Sequence, residues 1–257
     1  MTHVYQNNII SVYSGTKGIG KTWFASVLSQ SLSLHKQKVL FFDADGSIEN
    51  IAWQLGLKKS DLYLKMLKNQ ITLNNAVTHY NKGRFDIIYA GERENPLASY
   101  PVGRCQILAY DLKNFAMNYE KVVIDCSDTN IKFTNMLLNL SSRIILLVKP
   151  NLVGLTDAYK ELEHIKSVSP QAKIFIVINH ALSQSEGEQI YKTLLNADKQ
   201  FISTFPILAG IINQDGRIRD CVLNKAALFE RYPVCQSLSE IERISTLLIN
   251  GDKQNAL

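Results

Sequence analysis

At 257 residues the chain is long enough to bury a sizeable core, and its length is compatible with one large α/β domain over residues 1–257. Hydrophobic residues make up 46% and charged residues 20%, with no internal repeat or low-complexity stretch, which excludes a disordered or fibrous chain except at the ends. The 28 basic and 23 acidic residues leave a net charge of +5, too small an excess to demand a nucleic acid, although KQKV, LGLKK and the pair Arg217 and Arg219 leave an anionic partner open.

The opening MTHVYQNN carries no signal-peptide pattern, and the longest apolar runs, such as IILLV, are far too short to cross a bilayer, so a cytoplasmic protein without integral membrane insertion is expected. Cys105, Cys126, Cys221 and Cys235 are scattered with no C-x-x-C pair. Buried thiols, rather than a disulfide framework or a cysteine-rich metal site, are the expectation.

The first apolar run, NNIISVYS at residues 7–14, predicts a buried strand. It leads into GTKGIGKT at residues 15–22, and KTWFASVLSQSLSL at 21–34 follows with Trp23, Val27, Leu28, Leu32 and Leu34 at helical spacing. Strand, glycine loop and helix in that order are the setting that a phosphate-binding loop G-x-x-x-x-G-K-[ST] requires. Gly15, Gly18 and Gly20 let backbone N–H groups curl around phosphate oxygens, and the helix N-terminus adds a favourable dipole. Lys21 then reaches the β- and γ-phosphates and the Thr22 hydroxyl ligates magnesium. A glycine turn entering an ordinary helix gives no reason for Lys-Thr directly after its last glycine, so nucleotide binding is predicted.

Further apolar runs follow at residues 38–43 (KVLFFD), 85–90 (FDIIYA), 121–126 (KVVIDC), 143–148 (RIILLV), 173–179 (KIFIVIN) and 207–212 (ILAGII). Continuous runs of this kind read as strands buried on both faces, and segments between them, such as residues 155–168 and 186–197, have helical patterns. Residues 91–104, with Pro96 and Pro101, read as a surface loop before a helix over 105–118. The alternation predicts a doubly wound, mostly parallel sheet with helices on both faces and a ligand at the carboxyl ends of the strands. Asp43 and Asp45 close the second of these runs and Asp125 the fourth. A carboxylate there can hold magnesium or orient an attacking water, and it can equally serve as a turn former or helix cap. Beside a phosphate loop, the functional reading is preferred.

These aspartates and the lysine-rich loop make the chain resemble the MinD/ParA family of P-loop ATPases, most closely its FlhG (FleN) flagellar branch. The resemblance spans nearly the whole length: FFDADGSIENI is similar to the branch's DADLGLANID, VKPNLVGLTDAYKEL follows its T-P-E-P-T-S-I-T-D-A-Y pattern, and residues 209–245 are similar to its G-x-I-P-x-D element and closing helix. The resemblance implies ATP or ADP with Mg2+ as ligands. It assigns phosphate contacts to Gly15, Gly18, Gly20 and Lys21, with Thr16, Lys17 and Ile19 completing the loop, and magnesium to Thr22, Asp43 and Asp125. Catalysis falls to Asp45, as the residue orienting water, with Lys21 and Lys17. Asn179 matches the asparagine that bonds adenine, and the element at 211–215, ending in Asp215, is expected to close the base pocket.

Three features depart from the family pattern. Its signature lysine directly follows the first glycine, where this chain has Thr16, and Lys17 stands one place later. CSDTN after Asp125 lacks the family's glycine, and Asn213 and Asn151 replace a proline and a glutamate. A weak ATPase is therefore expected. The implied partners are a second copy in an ATP-dependent homodimer and a regulatory protein, either a flagellar GTPase or a transcription factor, with recruitment to the cell pole or membrane only through a partner. The tail INGDKQNAL has neither an apolar face nor the basic cluster of a membrane helix. A non-catalytic nucleotide-binding scaffold and a partition ATPase on non-specific DNA are the competing readings.

Overall fold

The computed structural model describes residues 8–46, 51–91, 97–127, 129–198 and 206–253. Expectations placed on residues 47–50 of FFDADGSIENI, on Pro96, on position 128 of CSDTN and on the last four residues lie outside them.

In chain order the elements are β1 (Ile9–Tyr13), α1 (Lys21–Leu34), β2 (Val39–Asp43), α2 (Ile51–Gln54), α3 (Leu62–Leu67), α4 (Leu73–Ala76), β3 (Thr78–Tyr80) and β4 (Phe85–Ile88). They continue with α5 (Val102–Phe115), β5 (Lys121–Asp125), α6 (Ile131–Leu140), β6 (Arg143–Val148), α7 (Leu152–Val168), β7 (Lys173–Ala181) and α8 (Gln184–Asp198). The last four are β8 (Ile207–Asn213), α9 (Gly216–Leu223), α10 (Leu228–Arg231) and α11 (Gln236–Lys253).

The strands form one sheet in the order β3-β4-β2-β5-β1-β6-β7-β8. All neighbours pair in parallel except β3 with β4. This is the expected doubly wound arrangement, because strands with apolar side chains on both faces need helices on both sides. Successive residues point to opposite faces. Ile10, Val12, Phe41 and Val123 pack under Phe24 and Leu28 of α1 and Ile241 and Ile244 of α11. Leu40, Phe42, Val122 and Ile124 pack under Leu112 of α5, Leu137 of α6 and Leu162 of α7.

Local chemistry shifts several boundaries. The Asn151 side chain accepts the Gly154 amide at 2.8 Å and caps α7, so that helix begins at Leu152 rather than 155. Pro101 caps α5, so the end of the segment expected to be a loop up to residue 104 is already helical. The short edge strand β3 is not expected from the sequence, since THY is too short and too polar to be read; pairing with β4 and the 2.8 Å contact of His79 Nδ1 with Asp86 Oδ1 hold it. Asp45 lies beyond β2, which ends at Asp43. Among the described residues, no helix is long and apolar enough to cross a membrane.

Candidate functional site

β1 is flanked by β5 and β6, so the chain leaves its carboxyl end where the connections diverge to opposite sides of the sheet, the place where open parallel sheets form a ligand crevice. The loop between β1 and α1 turns through two left-handed glycines, Gly18 at φ +69° and Gly20 at φ +92°, a conformation that side chains with a Cβ rarely adopt. Ile19, between them, is 2% exposed and anchors the loop in the core, while Gly20 caps α1 and its carbonyl accepts the Phe24 amide at 2.9 Å. The first amides of α1 have no partners within the helix and face the cleft end.

The loop's other limb leans on α7. A Cβ at Gly15 would stand 2.5 Å from Oε1 of Glu161, and Thr16 Oγ1 donates to Asp157 Oδ2 at 3.0 Å. The Thr16 amide donates to Ser14 Oγ at 3.0 Å. Lys17 is exposed.

A cleft of about 320 Å³ opens beside the loop, lined by Gly18 to Trp23, Asp45, Gln54, Asn179, His180, Ile218 and Val222. Lys21, Thr22, Ile19, Gly18, Gly20, Asp45 and Asn179 are thus brought together as the sequence suggests, whereas Gly15, Thr16 and Lys17 stand outside the lining, the first two against α7. Asp215 is not among the lining residues either. Its carboxylate caps α9 by accepting the Arg217 amide at 3.0 Å and also accepts from Ser237 Oγ at 3.0 Å. None of residues 211–215, expected to close the base pocket, is among the lining residues, and Ile218 and Val222 of α9 line the cleft on that side. His180, Gln54 and Trp23 line the cleft without any signal in the sequence that they would. Trp23 reads as an ordinary core position in α1, and its indole nitrogen is buried without a hydrogen-bond partner.

Asp43 and Asp125 lie behind the cleft, side by side in adjacent strands, and both are fully buried. The Asp43 carboxylate accepts three backbone amides, from Asp45 at 3.1 Å, Gly46 at 2.9 Å and Ala90 at 3.2 Å, and so pins the loop after β2. Its backbone carbonyl accepts the Tyr63 hydroxyl at 2.7 Å. Burial raises its pKa from 3.8 to about 6 against the pull of these amides. Asp125 is raised well above the usual carboxylate range, by burial first and then by Asp43 and Asp45; Thr22 and Lys21 pull it part of the way back. Neither of its oxygens has a hydrogen-bond partner of good geometry.

A buried, orphaned carboxylate beside a threonine hydroxyl and a lysine is an arrangement that a cation would complete, and the donor set fits magnesium, which takes one or two protein oxygens and fills its remaining positions with phosphate and water. Asp43 has less to offer a metal, because its oxygens are already engaged. Among the described residues, no three His, Cys, Asp or Glu side chains form a metal cage.

A family model described as AAA domain matches residues 7–178. The flagellum site-determining protein YlxH of Helicobacter pylori is 24% identical over 250 residues, which cover 96% of this chain and 84% of that protein. The antiactivator FleN of Pseudomonas aeruginosa is 21% identical over 237 residues, 91% of this chain and 83% of its own. In fold, the septum site-determining protein MinD of Pyrococcus horikoshii, solved with Mg-ADP, superposes with a TM-score of 0.77 over 94% of this chain and 95% of that one at 20% identity.

Proposed function

Because the chain belongs to the AAA-domain P-loop family, and within it to the MinD/ParA type on its FlhG branch, we propose that it is an adenine-nucleotide-dependent switch controlling the placement or number of a cellular structure, the flagellum first. The observation that carries this reading is the meeting of Lys21 and Thr22 at the cleft with the orphaned carboxylate of Asp125 behind them. The family membership supplies the type of ligand, and the name of the Helicobacter pylori relative supplies the flagellar connection.

In this reading the turn through Gly18 and Gly20 holds backbone amides toward a triphosphate, Lys21 neutralises its outer phosphates, and Thr22 with Asp125 holds magnesium. Magnesium, when bound, neutralises charge on the phosphate oxygens. Asp45 orients the attacking water from the loop that Asp43 pins in place. The protein works in the cytoplasm as one domain, forms a homodimer with ATP, and reaches a pole or membrane through a protein partner.

A second reading, a nucleotide-binding scaffold with little turnover, is favoured by one contact. Thr16 stands where the family's cross-interface lysine is expected, and its hydroxyl is tied to Asp157 within the same chain. Both readings are tested by calorimetric titration of ATP with magnesium into the protein and its Lys21→Ala variant, together with phosphate release. Binding lost in the variant supports a phosphate site at the loop, and release above background selects the switch over the scaffold. Unchanged affinity in a folded Lys21→Ala protein overturns both.

A further inference from the structure

A surface groove of about 780 Å³ lies apart from the nucleotide cleft, between α5 and the segment 66–75 that carries the end of α3 into α4. Met66, Leu73 and Leu108 are buried at its floor, beside the partly buried Phe115. Five exposed carboxamides line it above them, those of Asn69, Gln70, Asn74, Asn75 and Asn114, and none is hydrogen-bonded to another described residue. The stretch NQITLNN at 69–75 is uncharged throughout. The α5 wall carries two opposite charges, Arg104 and Asp111, two turns or about 10.5 Å apart along the helix axis, with the half-exposed Ile107 between them. Neither forms an ion pair with another described residue.

We propose that this groove binds an extended peptide segment of a partner protein, in which an acidic and a basic residue flank an apolar one at alternate positions. A carboxamide offers one group that donates and one that accepts, as a peptide bond does. An extended chain has its own N–H and C=O groups open and needs both, whereas a helix has paired them internally and would leave the carboxamides idle. The first, third and fifth side chains of an extended segment share one face and span about 13 Å. The acid then reaches Arg104, the apolar residue drops onto Met66, Leu73 and Leu108, and the base reaches Asp111, with the long arms taking up the small difference in length. A neutral sugar has no counterpart for two fixed charges, and a nucleic acid, anionic throughout, is repelled by Asp111. The groove shares α3 with the nucleotide side of the sheet, since Tyr63, about one turn before Met66, donates its hydroxyl to the Asp43 carbonyl at 2.7 Å. The proposal itself requires nothing of the cleft.

The test uses random dodecapeptides displayed on phage and panned against the full chain without nucleotide, followed by fluorescence anisotropy of the enriched sequences as synthetic peptides. Enriched sequences are expected to carry acid, apolar residue and base at alternate positions. Arg104→Glu, at an exposed position, should weaken them roughly three- to tenfold, as for the reversal of one exposed ion pair, and exchanging the peptide's acid for lysine should restore binding to that variant. Combining Asn74→Ala with Asn75→Ala should weaken every enriched peptide by a similar factor whatever its charges, through lost bonds to the peptide backbone. No enrichment over a bare surface, enriched peptides indifferent to both changes, or sequences with the three-to-four spacing of an amphipathic helix overturns the proposal. None of these readouts involves ATP, so their failure leaves the phosphate-site reading standing.

Discussion

At the scale of single residues, the buried carboxylates give the site its sharpest signatures. Asp43 is raised in the fold from 3.8 to about 6, so between those pH values the folded chain keeps a proton that the unfolded chain has lost. Its stabilising contribution is complete below pH 3.8 and is lost as the pH rises through 6, about 3 kcal/mol in all. Asp125, raised further by burial, extends the decline upward. The ligand-free protein should therefore melt at a lower temperature at pH 7.5 than at pH 5, as read by calorimetry. Asp125→Asn should flatten that slope and raise the melting temperature at pH 7.5, while abolishing the magnesium dependence of ATP binding. A variant that melts lower at pH 7.5 and still binds ATP in a magnesium-dependent way contradicts the role given to this carboxylate. Lys21→Ala should cost about ten- to hundredfold in ATP affinity, as expected for a charge-assisted contact, with circular dichroism unchanged.

At the scale of elements, the phosphate loop is held from two sides, by α7 and by Asn179 of β7, whose amide donates to the Ile19 carbonyl at 2.6 Å, and its tie to α7 bears on dimer formation. Thr16 is bonded to Asp157 and Lys17 is exposed beside it, so no lysine starts from the position the family uses to cross to a second copy. Combining Thr16→Lys with Lys17→Gly should raise the fraction of dimer formed with ATP, or the rate of phosphate release, by about tenfold or more, as expected for one new charge-assisted hydrogen bond to phosphate. Loss of both in the double variant would show that Lys17 already performs that task. The closing helix α11 makes a different demand. Ile244 is fully buried against α1 and β8, and the close approach depends on Gly210, where a Cβ would stand 2.8 Å from Ile244 Cδ1. Ile244→Ala should destabilise the protein by about 2–5 kcal/mol in urea unfolding.

What the sequence reveals at this scale follows from the period of burial. Five of the seven apolar runs contain their strands to within about two residues at each end, because strands buried on both faces leave an unbroken apolar signature; the run at 173–179 ends two residues short of β7 and the run at 207–212 one residue short of β8. β3 escapes notice, since three residues at an edge carry no such run, and α2, α3 and α4 are too short to show a helical period. The loop of the site is legible, because glycines and Lys-Thr at fixed spacing are required by local geometry. The far wall is not: Ile218, Val222 and His180 reach the cleft only through the placing of α9 and the bulge in β7, and tertiary packing of that kind leaves no local mark.

At the scale of the whole molecule, the sheet places the loop, the loop after β2 and the bulge of β7 along one edge, so a single ligand can touch all three. A switch needs a ligand that distinguishes two states, and only a differential affinity for them can shift the balance. In the switch reading that difference lies between ATP and ADP, sensed at the edge where Asp45 and the loop stand. The measurement that tests it most directly is sedimentation velocity of the unaltered chain with ATP and magnesium, with ADP and magnesium, and with no nucleotide, over a range of protein concentrations. A shift toward a dimer with ATP, absent with ADP and without nucleotide, is the predicted result; identical sedimentation in all three conditions at every concentration would contradict it.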